Sequence, residues 1–249
     1  MAKINKTAMS LLQDMKELTR LLDKYSFKTS GNIELTQLEK AVENVSSNTS
    51  GKNPNLSFST VNDGIVFHTS ATGMSPNPGI LQNKLDLFLT LKYEYHFNQT
   101  DLEKTIKKYD LDLQIKGVQK NAKSQHFFEW HQDVQPKKQN CSKKYQFIHP
   151  FYHFHAGGSF LKQKGSGSLL QLSSPRLPHP PMDIVLAVNF ILCNFYSTHE
   201  PSLQKQMKIL NDPSYQELVA RAAKRVYKPY YDEVSKDVTK SRFVPLITI

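Results

Sequence analysis

Leu85-Asp86-Leu87-Phe88-Leu89-Thr90-Leu91-Lys92-Tyr93-Glu94-Tyr95-His96-Phe97 is the stretch that decides the fold. Apolar side chains fill every odd position from Leu85 to Phe97, and the even positions are polar except for Phe88. Side chains alternate across a strand with period 2, so this run predicts a strand with one core face and one wet face. Working outwards, the same period recurs. Leu111, Leu113 and Ile115 predict a second strand that stops at Gly117. Gln125 to Asp133 predicts a third, with Phe127, Glu129, His131 and Asp133 on one side and His126, Phe128, Trp130 and Gln132 on the other. Upstream, Leu56 to Val61 and Ile65 to Thr69 flank Asn62-Asp63-Gly64, a hairpin signal. Thr100 to Tyr109 reads as a short helix or a turn.

Beyond the strands the period lengthens. Ala8, Leu11, Leu12, Met15, Leu18, Leu21 and Leu22 recur at three- and four-residue steps and predict an amphipathic helix over residues 5–25. Thr36-Gln37-Leu38-Glu39 matches a capping box and predicts a second helix to about Val45, ahead of a polar loop from Ser46 to Asn55. Towards the other end, Pro180-Pro181 sets up a helix with Asp183 in its first turn. Ile184 to Phe195 is apolar nearly all round, so that helix should be buried. Asp212-Pro213 is an N-cap and N1 pair for a last long helix, which Pro229 should disturb, and Phe243 to Ile249 should add an edge strand. The expected fold is α+β: a central antiparallel sheet over about residues 56–172, flanked by N-terminal and C-terminal helices. Residues 1–50 would be an N-terminal helical segment and residues 51–249 the α+β domain, together one globular unit.

Lys and Arg number 32 against 22 Asp and Glu, a net charge of +10 over 249 residues. Such an excess points to nucleic acid first and an acidic protein partner second, with a merely solvated basic surface as the plainer reading. No run approaches the roughly 20 apolar residues of a membrane span, and the first thirty residues show no signal-peptide core. Cys141 and Cys193 stand in unrelated contexts and suit reduced thiols, so a cytoplasmic location with no membrane partner is expected. Walker, dinucleotide-binding G-x-G-x-x-G and CxxC zinc patterns do not occur, which argues against those classes.

Six of the nine histidines lie between His126 and His179. The densest run is His149-Pro150-Phe151-Tyr152-His153-Phe154-His155-Ala156-Gly157-Gly158. If extended, it puts His149, His153 and His155 on one side and turns Tyr152 and Phe154 the other way, into the core. Pro150 weakens the ladder, so the 153/155 pair is the firmer part. Imidazole titrates near neutral pH, which suits an acid and base side by side or two ligands of a divalent metal. The candidate metal ligands are His149, His153, His155 and Asp133, with His131 as a further donor. His131 and Asp133 would join that face if their strand pairs antiparallel with the histidine strand, the carboxylate fixing an imidazole tautomer. Arg176, held between Pro175 and Pro178, suits contact with a phosphate or with developing charge. Lys137, Lys138, Lys143 and Lys144 form a basic loop, and Arg221, Lys224, Arg225 and Lys228 fall along one face of the last helix; both could track phosphates. The plainer readings are a polar half-exposed sheet face, a capping arginine and a solvated helix.

Trp130-His131-Gln132-Asp133, the pattern H-P-x-x-H-x-H-x-G over His149 to Gly157, Arg176-Leu177-Pro178 and an apolar helix closing on Phe195-Tyr196 together resemble bacterial domains of unknown function from defence and toxin–antitoxin neighbourhoods. The likeness covers about residues 125–197 and implies a setting more than a reaction. A shorter likeness, to the strand of the histidine-triad nucleotide hydrolases, stops at Gly157, which stands where their third histidine would be. The expected function is therefore a nucleic-acid-directed endonuclease, RNA favoured, in a toxin–antitoxin or phage-defence setting. His153 and His155 would act as acid and base or as ligands, Asp133 would orient or ligate, and Arg176 would stabilise the phosphorane. The alternatives are a non-catalytic nucleic-acid- or protein-binding component of a defence complex, with an antitoxin or defence subunit as partner, and hydrolysis of a small phosphorylated nucleotide.

Overall fold

A computed structural model of the chain describes residues 6–27, 32–47, 55–60, 64–69, 81–97, 106–119, 125–134, 152–157, 177–196 and 204–236. Helices α1 (Lys6–Lys24) and α2 (Asn32–Ser47) lead into strands β1 (Asn55–Ser59), β2 (Ile65–Thr69), β3 (Leu81–His96), β4 (Ile106–Gln119), β5 (Gln125–Val134), β6 (Tyr152–Ala156) and β7 (Leu177–Pro178). Helices α3 (Ile184–Asn194), α4 (Gln204–Leu210) and α5 (Pro213–Lys236) follow. The fold is α+β, and every pairing in its sheet is antiparallel, in the order β1-β3-β4-β5-β6-β7 with β2 also on β3.

β3 is the spine of the sheet, as its period required. Leu85, Leu87, Leu89, Leu91, Tyr93 and Tyr95 are buried, while Asp86, Phe88, Thr90 and Glu94 are only partly covered. The expected hairpin before it does not form. β1 pairs with Lys92 to His96 and β2 with Leu85 to Leu89, so the two lie end to end along one edge of β3. Sixteen residues of β3 present more edge than one five-residue strand can pair, and two in succession cover it. Thr60 begins the join: its N–H donates to Leu91 O at 3.0 Å and its Oγ1 accepts from Leu91 N–H at 3.1 Å. Gly64 ends it with φ +69°, where a Cβ would lie 2.2 Å from Leu89 O. β1 and β2 run in the same direction along β3, and residues 61–63 of the turn signal lie outside the described residues.

Other boundaries also move. α2 starts at Asn32, so the Thr36 capping box lies inside the helix, and Ile106 to Tyr109 belongs to β4, which runs past Gly117 to Gln119. Asp183 is the N-cap of α3, accepting from Leu186 N–H at 3.1 Å, one position ahead of the expected first turn. α5 continues through Pro229 to Lys236, with Tyr230 buried just beyond the proline. A proline removes one helical hydrogen bond, and burial on both sides of it outweighs that loss here.

The helices cover one face of the sheet. Leu11, Met15 and Leu18 of α1, Leu35 and Leu38 of α2, Val188 and Ile191 of α3 and Leu218 of α5 share one apolar core with Leu89, Leu111, Leu113, Tyr152 and Phe154 of the strands. The all-round apolar α3 is buried as its sequence demanded. Within the helix layer, Asp14 is 1% exposed and accepts from Arg221 Nε at 2.8 Å and from Arg225 Nη1 at 2.7 Å. Arg225 also donates to Asp183 Oδ2 from Nη2 at 2.6 Å, which ties α1, α5 and α3 together. Of the basic stripe expected on the last helix, three residues, Arg221, Lys224 and Lys228, are exposed. Arg225 is turned inward, Arg221 is held by Asp14, Lys228 pairs with Asp232 at 2.6 Å, and Lys224 is exposed. Helical spacing sets which residues share a face, not what that face meets. Among the described residues no helix is long and apolar enough to cross a membrane. The edge strand expected at Phe243 to Ile249 lies outside the described residues.

Candidate functional site

Three neighbouring strands each bring a pair of residues at two-residue spacing to the face away from the helices. β4 carries Asp110 and Asp112, β5 His131 and Asp133, β6 His153 and His155. Antiparallel registers align them in two rows: Asp110, Asp133 and His153 in one, Asp112, His131 and His155 in the other. Partners opposite one another across strands have Cβ atoms about 5 Å apart, so the six form one contiguous grid.

The alternate residues point into the core and hold the strands in register. Gln132, between His131 and Asp133, is 0% exposed. Its Nε2 donates to Pro180 O at 2.7 Å and its Oε1 accepts from Tyr109 OH at 2.8 Å. Phe154, between the two histidines, stacks on Trp130 with ring centroids 4.8 Å apart. Gly157 N–H donates to Glu129 O at 2.8 Å, extending the ladder one residue beyond β6.

His131 is the centre of the grid. Its Nδ1 contacts Asp112 Oδ1 closely and lies 3.5 Å from Asp110 Oδ1, while its Nε2 lies 3.2 Å from Asp133 Oδ2. Burial alone would lower the His131 pKa, but the bonds to Asp112 and Asp133 overcome it and push the value up to about 10. Asp133 also faces His153, whose Nε2 is 2.7 Å from its Oδ1. Burial opposes ionisation of Asp133, yet the two imidazoles hold its carboxyl below the usual carboxylate range. Asp110 goes the other way, raised first by burial and then by the charge of Asp112. Its Oδ1 is shut off from solvent and takes no hydrogen bond among the described residues.

The histidine pair divides. His153 is 3% exposed and engaged with Asp133, so it is not an open acid or base. His155 is half-buried, its ring 5.0 Å from His131 and 5.5 Å from His153. Burial and then the neighbouring His131 charge lower its pKa, leaving it neutral at neutral pH.

Asp110, Asp112 and His131 each offer a ligand atom to one point, with those atoms within 4.8 Å of one another. This donor set of two carboxylates and an imidazole suits a divalent cation of the Mn or Zn kind. His131 ligates only after losing the Nδ1 proton, and Asp133 then retains the proton on Nε2, the outer-shell arrangement that orients metal-bound histidines. Orphaned Asp110 Oδ1 fits the same use.

Of the sequence candidates, the structure brings His131, Asp133, His153 and His155 together. His149, Arg176, Lys137, Lys138, Lys143 and Lys144 lie outside the described residues. Sequence reading missed Asp110 and Asp112, which flank Leu111 and alternate with the apolar residues that predicted this strand. A signal was present: D-x-D, H-x-D and H-x-H occur on three successive strands. Compared with family models, curated proteins and solved structures, the chain matches none of them.

Proposed function

We propose that the protein is a nuclease that cleaves phosphodiester bonds in nucleic acid, RNA favoured, using a divalent cation at Asp110, Asp112 and His131 with His155 as the base beside it. One observation carries this reading: three carboxylates and three imidazoles form a single grid, with one imidazole nitrogen turned to two carboxylates and the other braced by a third. When bound, such a cation polarises a phosphoryl oxygen and acidifies water. Asp110 and Asp112 would supply oxygen ligands, and Asp133 would keep the proton on His131 Nε2 so that Nδ1 can ligate. His153 would brace Asp133. His155, neutral and partly open, would take the proton of the attacking hydroxyl. The net charge of +10 supports a polyanionic substrate. The motif likeness supports a toxin–antitoxin or phage-defence setting with a protein partner, and Arg176 remains the candidate for stabilising the phosphorane.

The test is cleavage of labelled single-stranded RNA by the purified chain in Mn2+ and in EDTA. We expect cleavage in Mn2+ only, and a fall of about 100-fold or more in both His155→Ala and Asp112→Asn, with melting temperatures near the parent's. Absence of cleavage of RNA or DNA with every divalent metal tried would overturn the reading, and full activity in His155→Ala would remove that residue from the chemistry.

A further inference from the structure

The sheet face that carries the grid runs against the sign of the whole chain. Its described residues include Asp86, Glu94, Asp110, Asp112 and Asp133 against Lys92, Lys108 and Lys116, with Glu129 buried beneath them. Away from the grid the charges are engaged with one another: Lys108 Nζ lies 3.0 Å and His96 Nε2 2.8 Å from Glu94, His68 Nδ1 lies 2.6 Å from Asp86, and Lys116 Nζ lies 3.7 Å over the Phe88 ring. Lys92 stands opposite Asp110, whose carboxyl it helps to ionise. In the grid itself three carboxylates surround one imidazolium. Without a cation this surface repels a phosphate.

Resting on the nuclease reading, we infer that the metal ion recruits the nucleic acid and is not needed for chemistry alone. The polyanion docks on this face after the cation has loaded. Hard divalent cations of the Mg and Mn class take about six ligands. Asp110, Asp112 and His131 provide three, and a phosphate oxygen fills one of the open positions. Coupling between two ligands is reciprocal, so the nucleic acid tightens the metal by the same factor as the metal tightens the nucleic acid.

The probe is a fluorescein-labelled 2′-O-methyl oligouridylate, which has no 2′-hydroxyl nucleophile, read by anisotropy with the full chain. We expect binding at least tenfold tighter in Mn2+ than in EDTA. Hexamminecobalt(III), whose ammine ligands do not exchange, screens charge but accepts no carboxylate or phosphate oxygen as a ligand, and should not replace Mn2+. Asp110→Asn/Asp112→Asn removes the two repelling carboxylates together with the metal ligands. It should bind the probe equally well with and without Mn2+, and more tightly than the parent in EDTA. Should that variant fail to fold, calorimetry on the parent gives the reciprocal reading: Mn2+ affinity rises with the oligonucleotide present. Equal probe affinity in Mn2+ and EDTA, full replacement by hexamminecobalt(III), or unchanged Mn2+ affinity each overturns the inference and leaves Mn2+-dependent cleavage untouched. Mn2+-dependent probe binding with no cleavage of RNA keeps the recruitment and removes the nuclease reading.

Discussion

Asp133 touches both His131 and His153, and its carboxylate is the contact through which one imidazole senses the other. A carboxylate between two ring nitrogens fixes which nitrogen of each ring bears the proton. Asp133→Asn keeps the shape but brings a neutral amide, so the His131 Nε2 proton loses its charged acceptor and the ring can turn. Outer-shell partners of metal-bound histidines are worth about 10- to 100-fold in affinity. Titration calorimetry with Mn2+ should show a loss in that range for Asp133→Asn, beside a far larger loss for Asp112→Asn, which removes a ligand. An unchanged Asp133→Asn isotherm would place the Asp133 carboxylate outside the ligating arrangement.

At the scale of elements, two features can be broken singly. Gly64 joins the two short strands on the β3 edge with φ +69°, and a methyl group there would meet Leu89 O at 2.2 Å. Gly64→Ala should lower stability by about 1–3 kcal/mol, seen as a lower urea midpoint at unchanged m-value; a parental midpoint would mean that the bend relaxes without cost. Arg225 joins three helices through Asp14 and Asp183. Breaking a buried ion pair from one side costs about 3–5 kcal/mol because the partner charge stays behind, so Arg225→Met should lose that much in urea, and a loss under 1 kcal/mol would show the carboxylates finding water. These two sites also mark the limit of what sequence conveys. Alternation in β3, β4 and β5 was legible because period 2 survives any choice of partner. Which edge β1 and β2 pair with was not, since a turn signal such as Asn62-Asp63-Gly64 carries no information about the strand on which its two neighbours pair. Likewise Arg221, Lys224, Arg225 and Lys228 announced a shared face, but only the fold supplies Asp14 to meet it. His131, Asp133, His153 and His155 could be gathered from spacing alone, whereas Asp110 and Asp112 acquire meaning from the β4–β5 register.

For the molecule as a whole, the partly buried histidines predict how stability varies with pH. His179 packs against Phe154 and Tyr227, its Nδ1 lies 3.0 Å from Gln132 Nε2, and burial lowers its pKa below the ordinary 6.5. A histidine lowered in the folded state takes up its proton first in the unfolded chain. Its contribution is therefore full above pH 6.5 and is lost as the pH falls towards the folded value. His155 has the same sign. His131 has the opposite one: raised to about 10, it contributes fully below pH 6.5 and is lost as the pH rises through about 10. Without metal, stability should thus peak near pH 6.5 and decline on both sides, the alkaline decline starting well before tyrosines titrate near their ordinary value of about 10. Urea midpoints measured in EDTA from pH 5 to pH 9 separate the two limbs. His179→Phe keeps an aromatic ring on Phe154 and should flatten the acid limb only, while His131→Gln should flatten the decline between pH 7 and pH 9 and, by removing the charge beside His155, lessen the acid limb slightly as well. If His131→Gln keeps the parental slope above pH 7, the imidazolium held between Asp112 and Asp133 contributes nothing to folding, and the charge pattern of the grid has to be drawn again.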